Sequence, residues 1–513
     1  MLSVQRQDPA LRVGHRGKAW FAAALATVLL LGPLSLRSLA DPDPRYRPGD
    51  WRAFTTVRYV TSVAFTPDVL YFGTRGGVAR YDRNQERWLV PFTTAEGLSA
   101  NAIRRLAYDS LTDELYAETT RGFSLYHPMW DEWRDVTSFP DSLVQSWQPV
   151  DLTRYQLPMG FDALDAGYLT DPHLRAYRVA GGKEDSRGTL WLGTWGEFVW
   201  KRPWGAYEIE PQHWGLYHDN VEAIFVDSGA VYFGGTNYYS SESALSIYDS
   251  VAGQWRYAEA RFTPGFASDH IRQFVGEPKE RFLWMATDAG VVRYDRRTAQ
   301  FRAFGLREGL SDDRVWSLCL DGDILWVGTE TGIEGIYIPT DSVFSATTDL
   351  VRNTRVAAIA VTGEVVWLGT DRGLFRLVKP VPEWQVFSLP NGPLSGRVRV
   401  IRHDDKQLYV GTERGIGVID LYGARPIVGY DRSEGLPDDN VFDLAVTDSI
   451  LWAATRIGLV RFVPATRERR VITAADGLLD QLVQTIVVDG DYLWLGTERG
   501  ASRFRWNNPE RID

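Results

Sequence analysis

Short runs of alternating apolar and polar residues fill the chain from Trp51 onward, and no long amphipathic pattern of helical period intervenes. One apolar phrase recurs ten times, starting at Leu70, Leu115, Leu190, Val231, Leu283, Leu325, Val366, Leu408, Leu451 and Leu493. Its second place is always Trp or Tyr, and its fifth is Thr in nine copies. From Leu283 the starts lie 42, 41, 42, 43 and 42 residues apart, which marks a repeat array rather than the three domains that 513 residues would otherwise suggest. Each phrase reads as a strand, because β-branched and aromatic side chains dominate it. A Gly or Ala in fourth place leaves room for a neighbouring backbone.

Three residues after the Thr a glycine closes a short hairpin in eight copies, and a second strand follows, as in Val291-Val292-Arg293-Tyr294-Asp295. A third strand opens on an aromatic residue, as in Trp384-Gln385-Val386, and a fourth precedes the next phrase, as in Val441 to Val446. Four short strands per repeat, with sheets packed face to face around an axis, predict an all-β propeller of about ten four-stranded blades. The last repeat lacks its outer strand, and Trp51-Arg52-Ala53-Phe54 has the pattern of a spare one. Pairing them closes one ring of ten, with two smaller rings as the alternative.

The phrase Leu408-Tyr409-Val410-Gly411-Thr412-Glu413-Arg414-Gly415-Ile416, with the Gly-Leu-Pro-Asp-Asp-Asn run at 435–440, resembles the two-component regulator propeller repeat. The resemblance covers about residues 51–506 and is clearest in the last six copies. It implies an extracytoplasmic recognition domain, often carbohydrate-sensing and usually followed by a membrane helix and a kinase or cyclase; that output is not carried over to this chain, where a separate membrane signalling partner could take its place.

The formal charge is −10; residues 1–40 carry five bases and one acid, so the remainder stands at −14. Nucleic acid is excluded as a partner on that balance, since no basic stripe offsets it. Arg6, Arg12, Arg16 and Lys18 precede an uncharged stretch from Ala19 to Leu36, then Ser38-Leu39-Ala40. Residues 1–40 accordingly read as an export signal cleaved after Ala40, 41–50 as a linker and 51–513 as the propeller. The product is expected in the periplasm or secreted, and not integral to a membrane. Cys319 has no partner for a disulfide and sits in an apolar run, so it reads as an inert thiol.

Ligand chemistry is sought where the repeat deviates. Between Leu115 and Leu190 the spacing grows to 75 residues, and the surplus forms an insertion at about 144–172 carrying Trp147 and Tyr155. The next hairpin has Trp195-Gly196-Glu197 at its corner, and the one after has Asn237-Tyr238-Tyr239-Ser240-Ser241-Glu242. Aromatic planes beside carboxylates suit sugar rings, which makes Trp195, Glu197, Tyr238 and Tyr239 a candidate patch, with Trp147 and Tyr155 above it. Packing is the competing use for the insertion's aromatics. Corner arginines such as Arg372, Arg414 and Arg499 could capture a uronate, although pairing with their own neighbours competes.

No metal site, cofactor or catalytic residue emerges from the seven histidines and single cysteine. The expectation is a non-catalytic recognition propeller that binds a glycan, peptide or protein at the rim of the central channel. A polysaccharide lyase or glycosidase, and a structural secretion or surface-assembly module, are the alternatives.

Overall fold

The computed structural model describes residues 49–508 apart from 165–166, 238–241, 278, 380–383, 388–391 and 424. The export signal, and Tyr238 and Tyr239 of the candidate patch, lie outside the described residues. The chain is all β, a β-propeller whose ten repeats form ten antiparallel sheets, nine of four strands and one of six. The corner glycines take the expected left-handed backbone, with φ of 103° at Gly290 and 110° at Gly415.

β1 (Trp51–Phe54) pairs antiparallel with Gly500–Arg505, placing Trp51 opposite Phe504 and Phe54 opposite Ala501. The spare strand completes the last sheet, as the pattern of the two termini predicts.

The ring it closes has seven blades, which corrects the single ring of ten. The blades are 220–258, 271–304, 315–345, 356–386, 398–430, 441–472 and 483–505 with β1. Seven apolar clusters run round them, one for each pair of neighbours. In the closing cluster Phe54, Trp494 and Ala501 of the last blade pack on Val221, Phe233 and Trp255 of the first. The last blade thus meets the sheet that begins at Asn220, and the ring leaves out the first three repeats.

Two closed rings are not formed either. Sheets 60–92 and 103–136, with the six-stranded sheet 162–212, make an open arc. Its spatial order puts 162–212 first, where Trp191 and Val199 pack on Phe72 and Tyr81, and 103–136 last, where Leu115 and Ala117 pack on Tyr71 and Val78.

Fourth-place glycines explain how blades approach. A Cβ on Gly496 would stand 2.5 Å from the carbonyl oxygen of Val221 in the next blade, and one on Gly411 would stand 2.9 Å from Val441 Cγ1. At the end of the arc that place holds Glu118. Among the described residues no blade follows its sheet, and Tyr116 is the one phrase aromatic that is not buried. Arg105 bonds both Glu118 and Asp141 there, and Arg134 lies 3.6 Å from Glu114, so this face is finished with charges.

The other end of the arc is finished with apolar groups. The insertion packs Leu152, Leu169 and Tyr155 against Leu190, Leu192 and Trp200, and adds two strands, Asp162–Leu164 and Tyr168–Thr170. Its first leg seals the inner strands. Val144 pairs with Ala107, Gln148 pairs with Gly182, and the Gln145 side chain accepts from Phe65 N at 3.0 Å and donates to Phe65 O at 3.2 Å. Backbone groups left open by the missing blades thereby find partners.

Arc and ring meet where residues 55–59 run beside 213–219. Leu216 N donates to Thr55 O at 3.0 Å, and Trp88 stacks on Trp214. Arg58 is fully buried at this joint, donating to Tyr217 O at 3.1 Å and to Glu242 at 2.8 Å. Burial opposes its charge, but Tyr217, Glu197, Tyr59 and Glu242 outweigh that and hold the guanidinium above its ordinary value.

Candidate functional site

In all ten repeats the innermost strand carries Val or Ile immediately before a β-bulge. A bulge adds one residue to a strand and re-aims its side chain. The residue before the bulge hardly varies, because it packs against the neighbouring blade. The bulged residue varies freely. In the ring the seven are Glu222, Arg272, Trp316, Ala357, Arg399, Phe442 and Gln484, and all of them line one cavity of about 420 Å³ at the mouth of the central channel.

One wall of this mouth is a rigid stack. The guanidinium carbons of Arg272 and Arg355 each lie 4.3 Å from the ring centroid of Trp316. Both cations are anchored, Arg272 to Asp288 and Arg355 to Glu330 through two bonds of 2.9 and 3.0 Å. Trp316 Nε1 donates to the same Glu330 at 2.8 Å. The bonds from Arg355, opposed by burial, hold the Glu330 carboxyl below the usual range.

Beside the stack, His270 bridges Asp288 at 2.7 Å and Glu222 at 3.0 Å. Burial works to raise Glu222, but His270, Thr236 and Arg272 outweigh it and keep the carboxyl below its ordinary value. Burial likewise works to lower His270, and the bond to Glu222 raises it on balance. Across the channel Asp443 meets Arg402 at 2.7 Å and accepts from Leu444 N, Ile486 N and Thr485 Oγ1.

The carboxylates Glu222 and Asp443 are thus committed to ion pairs and hydrogen bonds. Arg399 differs: among the described residues it forms no ion pair, and its guanidinium rests 5.1 Å from the Phe442 centroid. Burial first, then Arg397 and Arg456, push it below its ordinary value against Glu413.

The arc repeats the same construction at a second mouth. Bulge residues Thr61 and Arg104, with corner residues Arg75 and Trp195, line a cleft of about 730 Å³ whose opposite wall is Asp219, Glu498 and Arg499 of the ring. Trp195 is 38% exposed, with Arg75 at 4.9 Å from its ring centroid and Tyr59 at 5.5 Å. Asn237 donates to the Tyr59 hydroxyl at 3.1 Å, so two of the hairpin corners singled out in the sequence do come together.

The other expected residues lie elsewhere. Glu197 is buried below the cleft, 3.6 Å from His213. Trp147 covers Gly181 and Gly193, and Tyr155 lies under Arg202, inside the arc and away from the cleft lining. The corner arginines meet neighbours: Arg414 donates to Ser395 at 3.0 Å and Arg499 to Asp480 at 2.8 Å. Burial pushes the Cys319 thiol up to about 11. Among the described residues no trio of His, Cys, Asp or Glu is grouped to hold a metal, and no helix is long and apolar enough to cross a membrane.

The channel mouth was missed in the sequence because its residues share a position and nothing else. The signal was there: a β-branched residue common to ten repeats, followed at once by a position that takes almost any side chain.

No family model and no curated protein matches the chain. Among solved structures it is similar to PorZ, a surface component of the type-IX secretion system of Porphyromonas gingivalis, at 14% identity over 87% of this chain and 74% of that one, with a TM-score of 0.52. It is also similar to the extracellular domain assigned to the hybrid two-component system BT3049 of B. thetaiotaomicron, at 16% identity, 88% coverage and a TM-score of 0.49; the chain spans 62% of that domain's length. For the BT4673 domain of the same organism the figures are 16% identity, 89% of this chain, 70% of that one and 0.48. The likeness to PorZ shows the propeller fold.

Proposed function

We propose that the chain is an exported, non-catalytic recognition propeller whose principal binding surface is the mouth of the seven-bladed channel. The observation that carries this reading is the contrast within one repeat: a framework residue held constant ten times, and beside it a channel-facing residue that is free to differ. Such a division keeps the scaffold and lets one surface diversify, as binding surfaces on rigid frameworks do.

The state of two of the three carboxylates at the mouth, Glu222 and Asp443, favours binding over hydrolysis. A glycosidase needs one carboxyl raised to act as an acid. Here Glu222 is held low, and Asp443 spends its oxygens on Arg402 and three other donors. The class of ligand is a glycan, peptide or protein, and the cleft at Trp195 is a secondary contact. Export by residues 1–40 would place the propeller outside the cytoplasm, and a separate membrane protein would receive its signal.

The test is a glycan and peptide array probed with the purified chain and with Arg399→Ala/Phe442→Ala and Trp195→Ala variants. Binding should fall by about tenfold or more in the channel variant, and less with Trp195→Ala. Ligand retained at full strength by the channel variant would place recognition away from the mouth.

A further inference from the structure

We infer that the Arg399 sector of the channel mouth is an anion pocket for an acidic sugar, whose acid group pairs with Arg399 and whose ring lies along Phe442. This inference rests on the recognition reading above and names its ligand class.

The mouth is lined by five arginines and three carboxylates in a chain whose net charge is −10. Three of those arginines are already answered: Arg272 by Asp288, Arg355 by Glu330 and Arg402 by Asp443. Arg397 is exposed and only 4.0 Å from Glu413. Arg399 has no ion pair among the described residues, and two further arginines press on it. A bound anion would relieve that unmet positive potential, and a guanidinium offers a carboxylate or sulfate two parallel N–H donors.

The neighbouring bulges give the pocket its shape. Ala357, the smallest of the seven bulge side chains, lines the wall together with Arg355 and Arg399, and Phe442 provides apolar surface beside Arg399. An aromatic face beside a charged donor matches a sugar acid, which carries C–H faces and an anionic group on one ring. An extended acidic peptide would pair with the open edge of an inner strand instead, so polyglutamate is the competing probe.

Isothermal titration of the purified chain tests this with four probes: an oligogalacturonate, a sulfated oligosaccharide, a neutral cello-oligosaccharide of the same length and polyglutamate. The acidic sugars should bind and the neutral one should not. Arg399→Gln should weaken binding by about tenfold or more, and Arg399→Lys should restore part of it, because an ammonium keeps the charge and loses the fork. The two acidic arms tell a carboxylate from a sulfate preference. An unchanged thermal midpoint confirms that the variants fold.

Equal affinity of Arg399→Gln for the acidic sugars would overturn the pocket. Binding of the neutral sugar alone, or of polyglutamate alone, would overturn the ligand class and leave recognition at the mouth standing. Silence from all four probes, with a blank array, would overturn both.

Discussion

The ring and the arc are built from one repeat and end differently. In the ring every sheet faces a successor, so each fourth-place residue is Gly or Ala and each phrase aromatic is buried. In the arc the succession stops at Glu118 and half-exposed Tyr116, and a polar face takes over. Both regions keep the bulge, and both turn it toward a mouth. Closure is therefore a separate decision from blade formation: four strands make a blade, and a small residue against the next blade makes a ring.

The strongest way to break the comparison is to remove residues 1–54. Without β1 the last blade loses its outer strand, and the cluster around Phe54, Phe233, Trp255 and Trp494 opens. Phe54→Ala alone should cost about 3–5 kcal/mol, and the deletion more. Denaturant unfolding should show the ring's transition moving while the arc's tryptophan signal moves little; a ring transition that stays put would mean that β1 is not the closing strand.

Next in size is an exchange of the fourth-place residues. Gly411→Glu would force a Cβ to within 2.5 Å of Val400 and 2.9 Å of Val441 and bury a charge, for a loss of about 4 kcal/mol or more. Glu118→Gly removes a surface ion pair and adds backbone freedom, for a change of about 1 kcal/mol. Melting both variants checks the asymmetry, and equal losses would erase it.

The smallest effect separates the two regions by pH. His270 is raised in the folded ring, so its contribution is complete below its unfolded value of about 6.5 and is lost as pH rises through the higher folded value. The ring's stability should fall slightly between about pH 5.5 and 8.5, by about 1 kcal/mol or less, because the imidazole keeps some contact with water. His270→Gln should flatten that slope and leave the arc unchanged.

Much of the fold could be read from the chain. Phrase, corner glycine and aromatic-led strand each have a local physical cause, and the missing strand at one end matched the spare one at the other. Ring size could not be counted from the number of repeats, since sheets at the ends of an array look the same until their faces are compared. Glu118, the one departure at fourth place, and the wide spacing after it were the marks of the break. Trp147 and Tyr155 looked like ligand platforms because sequence shows an aromatic residue without what lies beneath it; each covers apolar structure of the arc. Arg399 and Phe442 escaped notice because diversity at one position reads as noise among repeats.

Of the propeller's strands, β1 is made first and its partner last. At roughly 5–20 residues per second, the 451 positions between Phe54 and Arg505 take roughly 20–90 s to synthesise. The three sheets of the arc are complete long before then, and they are joined to a segment that still waits for its mate. Closure of the ring thus waits for a clasp fastened by the propeller's last strand, and a chain truncated just short of Gly500 would carry six whole blades that nothing holds in a circle.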